Sequence, residues 1–526
     1  MNQIINPVLC GFHPDPSILR VEDDYYIAVS TFEWFPGVLI YHSRDMRHWR
    51  YITSALTRVS QLDMRGIRSS EGVWAPCLSY CDGRFYLIYT IVHQWGYDGP
   101  RDLHNYLVTS EDITGPWSEP VYLNSSGFDP SMFHDEDGKH WLLNMRWDHR
   151  IGHNSFSGIL LQEFNEKKNQ LIGKPCLIFK GTELGLVEGP HLYKRNGYYY
   201  LMTAEGGTRF AHAVTLARSK DIEGPYELHP QNPVLTSSGS PNAKLQKAGH
   251  GSLVETREGE WYMAHLCGRP LPSRGRCILG RETAIQKVVW KEDDWLYLEQ
   301  GGRAPIEKVQ APNLPSVVWE KLPEMDDFNR TELGYPYQSL RVPLTEESMS
   351  LSERPGYLRL KGRESLGSRY DQSLVARRQQ AFSYDAETAL EFQPDTFQQM
   401  AGLVVLYDIN NFYYCNVTWE EELGKVLTVS ACSKGRYTVL SISPVALNEI
   451  ERIYIKAEMR FDQLRFLYSL DGESWNQIGG YFDSSILSDD YMEPVQFTGA
   501  FVGLCCQDLS GLRKPADFDY FKYKEW

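Results

Sequence analysis

Helix signals are scarce in this chain of 526 residues, so it reads as nearly all β. No stretch approaches the ~18 apolar residues of a membrane span, and no long basic run is present. Lys and Arg number 53 against 68 Asp and Glu, a net charge of -15, which argues against attraction to nucleic acid phosphates or an anionic membrane. A neutral or cationic partner fits better. The ten cysteines include no CxxC pair, and Cys505 directly precedes Cys506, a pattern of neither a disulfide framework nor a zinc site. Buried free thiols are expected. The stretch MNQIINPVLCGF lacks the basic region, apolar core and small-residue cleavage site of an export signal. The expectation is a cytoplasmic protein, in which the sequons at Asn124, Asn329 and Asn416 carry little meaning. With 42% hydrophobic residues, the length predicts two domains.

What the chain does have is a repeat. GFHPDPSILRVEDDYYIAVSTF, from Gly11, is echoed by WAPCLSYCDGRFYLIYT from Trp74, FDPSMFHDEDGKHWLLNM from Phe128, EGPHLYKRNGYYYLMTA from Glu188 and HGSLVETREGEWYMAHL from His250. Each copy has an apolar run, a short polar turn and a Tyr- or Trp-rich run. The aromatic anchors Tyr26, Tyr86, Trp141, Tyr200 and Tyr262 are 55 to 62 residues apart, room for four short strands per repeat. A second signature, SRDMRHW at 43, SEDITGPW at 110 and SKDIEGPY at 219, recurs as an outer-strand turn. Five propeller blades are predicted.

The first strands of five blades run beside a narrow axis, so residues at one end of those strands converge on a pit. That end carries, within a position or two, Asp15, Trp74, Asp129, Glu188 and His250. A lone Asp before Pro usually makes an Asx turn, and a lone histidine is usually a hydrogen-bonded core residue. Three acids at equivalent repeat positions are a different matter, because like charges near an axis cost stability through repulsion and desolvation and persist mainly where chemistry needs them. Paired carboxylates with aromatic walls, and no nucleophilic Ser or Cys arrangement, point to glycosidic bond cleavage. Glu188 lies between Val187 and Gly189-Pro190, an uncharged setting that favours a protonated acid.

The motifs HPDPSI, SSGFDPSMF, VEGPHLY and LGRETAIQKVVW together resemble family 43 of the glycoside hydrolases, in particular its two-domain β-xylosidases, over essentially the whole chain. The resemblance implies a five-bladed β-propeller, inversion at the anomeric carbon and release of xylose from the non-reducing end of β-1,4-xylooligosaccharides. It makes Asp15 the general base, Glu188 the general acid, and Asp129 an ionised neighbour that tunes and orients the acid. Arg281, in GRET, would hold Asp15 and sugar hydroxyls, where an ion pair with Glu282 is the plainer alternative. Phe32, Trp74, Trp147, Thr208 and His250 match or lie near positions of the sugar pocket, whereas Trp34 and Phe35 fit blade packing equally well. No cofactor is implied, and no acidic loop of calcium-binding form is present, so no metal enters the scheme. A homo-oligomer, tetramer or dimer, is implied.

The repeat stops past Trp290. The propeller is assigned to residues 1–309 and a proline-rich linker to 310–325. From 326 to 526, alternating stretches such as YLRLKG, AGLVVLYD and IYIKAEMR, with a turn every ten or so residues, predict a β-sandwich of concanavalin or jelly-roll type. Its segment FTGAFVGLCCQDLSGLRKPADFDYF resembles the one that reaches back over the propeller mouth in two-domain β-xylosidases, with Phe501 expected to close one side of the pocket. Two other functions fit the same residues: an α-L-arabinofuranosidase, whose sugar offers similar hydroxyls, and a non-catalytic carbohydrate-binding propeller, which would have no use for a protonated Glu opposite an ionised Asp.

Overall fold

The computed structural model describes residues 2–526 apart from 97, 441, 442, 494 and 495. Five antiparallel sheets form the blades. Blade I comprises Ser17–Val21, Asp24–Val29, Gly37–Ser43 and Arg50–Leu56, and blade II Gly72–Cys81, Arg84–Val92, Leu103–Ser110 and Val121–Asn124. Blade III comprises Ser131–His134, His140–Trp147, Phe156–Asn165 and Gln170–Phe179. Blade IV is built from Glu188–Arg195, Tyr198–Glu205, Ala213–Ser219 and Glu227–Leu228, and blade V from Gln246–Glu255, Trp261–Gly268, Glu282–Trp290 and Leu296–Leu298. Turn chemistry sets these hairpins. Asp82-Gly83 and Asn196-Gly197 each have two successive left-handed residues, the two-residue turn whose twist matches that of the flanking strands.

The ring is closed by the start of the chain. Gln3–Ile5 pairs antiparallel with Lys308–Gln310. Asn6 then bonds Ile285 of blade V in both directions, its Nδ2 donating to the carbonyl at 2.7 Å and its Oδ1 accepting from the amide at 2.8 Å. Val8 N and His13 N continue the attachment through the carbonyls of Thr283 and Arg281, both at 2.9 Å. Asp15 therefore enters blade I next to blade V. The segment after Gln310 straps blade I: Trp319 donates to the His48 carbonyl at 3.0 Å and lies under Arg50 at 3.8 Å.

The second domain packs two sheets face to face. One contains Ser373–Arg378, Phe501–Asp508, Gln399–Asp408, Asn411–Glu420 and Gly424–Ser433. The other is centred on Pro515–Glu525, Ser383–Glu391 and Arg452–Arg460. In the first sheet, Ser373–Arg378 and Phe501–Asp508 are buried at every position. Alternation explains why. Val375, Val502, Leu504 and Cys506 face the sandwich core, while Leu374, Ala376, Phe501 and Cys505 join a cluster with Phe12, Phe32, Trp34 and Trp74 of the propeller. Cys505 and Cys506 thus point to opposite faces, and both are free thiols. The two domains also share strand pairing, Ser339 and Leu340 lying opposite Phe35 and Trp34.

This interface changes the expectation for Phe501. Its ring is fully buried and stacks on Trp34, centroids 3.6 Å apart at 11°, with Arg378 over the same ring at 5.4 Å. Register is the reason: Phe501 sits opposite Arg378 and Leu406, locked in a strand whose odd positions face the propeller wall and not its mouth. Trp34 likewise belongs to this seam, and Phe35 packs within the blade I and II core.

Since the shared apolar cluster leaves no independent surface to either domain, both should unfold in one transition. Phe501→Ala should cost about 3–5 kcal/mol, as a large buried ring removed from a packed site does. Denaturant melts of wild type and variant check both statements. Two separated transitions in the wild type, or an unmoved midpoint in the variant, would contradict this account of the interface.

Candidate active site

In every blade one residue in or just before the first strand has a left-handed backbone: φ is 53° at Asp15, 35° at Ala75, 54° at Asp129, 55° at Gly189 and 54° at His250. Pro16, Pro76, Pro130 and Pro190 follow in the first four blades and Gly251 in the fifth. Proline disfavours the right-handed helical region for the residue before it, and aspartate tolerates positive φ better than most side chains. The kink aims side chains at the axis. Asp15, Asp129 and His250 line the cavity there from the kinked residue itself, and Trp74 and Glu188 from the residue before it. An acid held between two prolines is thus the blade I version of a turn used five times.

The cavity has a volume of about 320 Å³, at the small end of ligand pockets. Asp15, Asp129 and Glu188 lie in its floor with His250, His212 and Arg281, and its walls are Phe32, Trp74, Trp95, Phe128, Phe156 and Phe497. Asp15 accepts from Arg281 Nη1 at 2.8 Å through one oxygen and from Ser30 Oγ at 2.6 Å through the other. Ser30 Oγ in turn accepts from the Ala75 amide at 2.7 Å, so blades I, II and V together fix this carboxylate. Arg281 also reaches Thr208 Oγ1 at 3.3 Å and the Phe497 carbonyl at 3.0 Å. Asp129 accepts the Gly189 amide at 3.0 Å, which ties it to the backbone beside Glu188. A side chain at Gly189 would add strain to a φ of 55° and put its first carbon 3.1 Å from the His250 ring.

Burial pushes the pKa of Glu188 well above the usual carboxylate range, and the charges of Asp129 and Asp15 push it further. Asp129 moves the same way, first through burial and then through Asp15. Burial and the Asp15 charge thus act against the ionised state expected for it, while the Gly189 amide and Arg281 favour that state. With no guanidinium of its own, it shares a rising titration with Glu188, and the two carboxyls behave as a pair. Burial also lowers the pKa of His250, which favours the neutral ring.

Asp15, Asp129, Glu188, Arg281, Phe32, Trp74, Thr208 and His250 meet in the cavity, while Trp147 and Phe501 do not line it. Trp147 stands behind the wall, 5.8 Å from both Trp95 and Phe156, with Arg101 over its ring at 3.7 Å. The sandwich's own contribution is Phe497, four residues before Phe501. Its ring is 5.3 Å from Trp74 and 6.3 Å from Phe32. Its amide donates to Ser70 Oγ at 2.9 Å, and the following amide of Thr498 donates to Tyr407 OH, which is anchored on Asp489. Trp95 and Phe156 come from segments outside the aligned hairpins, and only their aromatic character marked them.

Residues 4–296 match the family model Glycosyl hydrolases family 43, and residues 325–524 match Beta xylosidase C-terminal Concanavalin A-like domain. The chain is 53% identical to a Beta-xylosidase of Bacillus subtilis (strain 168), covering 99% of this chain and 100% of that protein. It is 49% identical to a Xylan 1,3-beta-xylosidase of a Vibrio species, over 99% of each. The crystal structure of a xylan beta-1,4-xylosidase from Bacillus halodurans C-125 superposes with a TM-score of 0.98 at 57% identity, covering 99% of this chain and 100% of that one.

The raised pKa of Glu188 has a consequence for stability. A carboxyl that binds its proton more tightly folded than unfolded stabilises the fold at low pH, and that stability is lost as pH rises from about 4 through the folded value. Glu188→Gln, which cannot ionise, should therefore melt close to wild type near pH 4 and increasingly above it as pH rises. Calorimetric Tm values across that range test the sign, and a difference independent of pH would contradict a buried, repelled carboxyl.

Proposed function

The chain belongs to family 43 of the glycosyl hydrolases, and on that premise we propose that it is an exo-acting β-xylosidase releasing xylose from the non-reducing end of short β-1,4-xylooligosaccharides such as xylobiose. The observation that carries this reading is the convergence of three carboxylates in a small cavity closed on one side by Phe497 of the second domain. A blind pit of this size favours a chain end over the middle of a polymer.

In this mechanism Glu188 protonates the leaving oxygen as the glycosidic bond breaks, because its surroundings keep a proton on it where an ordinary carboxyl would have lost one. Asp15 takes a proton from the water that attacks the anomeric carbon from the opposite face. Arg281 and Ser30 hold both of its oxygens, which orients the remaining lone pairs and keeps a cation beside the base. Arg281, anchored by Asp15, Thr208 and the Phe497 carbonyl, has donors placed to meet sugar hydroxyls. Asp129 holds the backbone beside the acid and raises the cost of ionising it. The aromatic walls stack on the sugar and exclude water, which strengthens every charge effect in the pit.

Incubation with xylobiose, with the 1,3-linked disaccharide and with aryl β-xylosides and α-L-arabinofuranosides tests the substrate, and proton NMR of the first product tests the stereochemistry. Xylose should appear first as the α-anomer, since in this mechanism water attacks directly, from between two carboxyls that should lie about 6.5–9.5 Å apart. First-formed β-xylose would refute inversion, and faster release of arabinose would transfer the main activity to the furanoside.

The roles separate by leaving group. Glu188→Ala should nearly abolish xylobiose hydrolysis, by roughly 10²–10⁴-fold, yet lose much less on a dinitrophenyl xyloside that departs without a proton. Asp15→Ala should lower both rates alike. Equal losses on the two substrates in the Glu188 variant would exclude it as the general acid.

A further inference from the structure

The first strands of blades II and III carry Trp74 and Asp129 at their cavity ends and finish, at the opposite end, in hairpins that lie side by side. Cys81 is the last residue of the blade II strand, and His134 faces His140 across the blade III hairpin. The sulfur and one ring nitrogen from each histidine lie within 4.8 Å of one another. The two Nδ1 atoms face each other at 2.6 Å. Their far nitrogens are also provided for. His134 Nε2 is 2.9 Å from Ser79 Oγ, and His140 Nε2 is 3.7 Å from a carboxylate oxygen of Glu166. The other oxygen of Glu166 accepts from Tyr86 OH at 2.5 Å and has Arg84 at 3.6 Å. Tyr86 packs its ring against His134 at 4.8 Å, which fixes the imidazole plane.

Two imidazoles and a thiol are ligands of borderline-soft cations and poor ligands of calcium or magnesium. A histidine bound through one nitrogen characteristically donates its other N–H to a carboxylate, hydroxyl or carbonyl, which sets its tautomer and strengthens it as a ligand. His134 has such an acceptor in Ser79, and the Glu166 carboxylate lies just beyond hydrogen-bond distance of the far nitrogen of His140, within reach of a small side-chain adjustment. We propose that Cys81, His134 and His140 bind a zinc-class divalent cation through one thiolate and the two Nδ1 atoms, with water in the fourth tetrahedral position.

Binding releases the thiol proton to solvent, while the ring that carried the proton between the two Nδ1 atoms gives it up there and takes one from solvent at its far Nε2, so both rings stay neutral and one proton is released in all. At a metal–nitrogen bond of ~2.0–2.1 Å, two tetrahedral ligands sit about 3.3 Å apart, so the rings separate by a fraction of an ångström from their hydrogen-bonded distance. Cys81 and His134 are partly exposed at hairpin ends, which leaves room for that adjustment. The ion would clip blade II to blade III on the side away from the cavity, a structural role and not a catalytic one.

The test uses the full-length enzyme stripped with a chelator and titrated with Co²⁺ alone. One equivalent should bind and give a thiolate-to-cobalt charge-transfer band with the visible bands of tetrahedral cobalt, and Zn²⁺ should bleach both. Cys81→Ser should lose the charge-transfer band and keep wild-type hydrolysis of an aryl xyloside. Glu166→Gln should weaken binding by about 10-fold or more, as loss of a ligand's carboxylate partner does. Absence of the band in the wild type overturns the proposal, whatever the variants do. So does its survival in Cys81→Ser or, should that variant not fold, in His140→Gln, because the cobalt would then sit elsewhere.

Discussion

The few hydrogen bonds that splice the start of the chain onto blade V determine much of the rest of this structure. Asn6 bonds Ile285 in both directions, and the segment up to His13 runs along the third strand of that blade. Asp15 comes two residues after that contact, so the same splice that closes the ring brings it within 2.8 Å of Arg281, a partner 266 residues away in sequence. Closure and catalytic geometry are one constraint. A propeller that opened at this seam would lose a core edge and separate Asp15 from Arg281 together, which ties the integrity of the fold to the charge balance of its pit.

A second constraint comes from the sheet buried on both faces. Burying one face of a sandwich is ordinary, but here the strands Ser373–Arg378 and Phe501–Asp508 bury both, the outer one against Phe12, Phe32 and Trp34. The second domain is thereby fixed against the first by strand pairing, by stacked rings and by Arg378, whose Nε donates to the Phe12 carbonyl at 2.6 Å. Rigid docking of this kind is what allows one residue of the second domain, Phe497, to act as a wall for a cavity in the first. Its carbonyl holds Arg281, so the second domain also steadies the cation that faces Asp15.

The propeller was legible because its repeat is written twice, in aromatic anchors and in the kinked entry residues, and because three acids at one repeat position have no packing reason to be there. What escaped reading lies where repetition ends. Trp95 comes from the loop after Val92 and Phe156 from the start of a blade III strand, and nothing local distinguishes them from Trp147, which looks equally suited and stands one layer behind. Phe501 was misplaced because a strand buried on both faces has no polar alternation from which to tell which side chain meets the mouth, and register alone sends it to Trp34. For Asp129 the sequence shows an acid near an acid but not its burial or its single backbone donor. The cluster of Cys81, His134 and His140 has no signature spacing, since its members are brought together by neighbouring blades.

The division of labour among the three acids follows from what surrounds each. Asp15 and Asp129 are buried and Glu188 is half-buried, so burial alone does not order them. Asp15 has Arg281 and Ser30 on its two oxygens, groups that compensate a negative charge, as the role proposed for it requires. Asp129 has a single backbone amide, which orients the carboxyl and compensates it only in part. Glu188 has neither, and faces the charges of both others. A proton brought to this pit therefore has one preferred region, the Glu188–Asp129 pair, on the side away from the guanidinium. The arrangement costs folding energy in the resting protein, because two repelled carboxyls are kept from water. That cost favours a bound proton, and the apolar packing of one sheet against the propeller on its outer face and the sandwich core on its inner face offsets it.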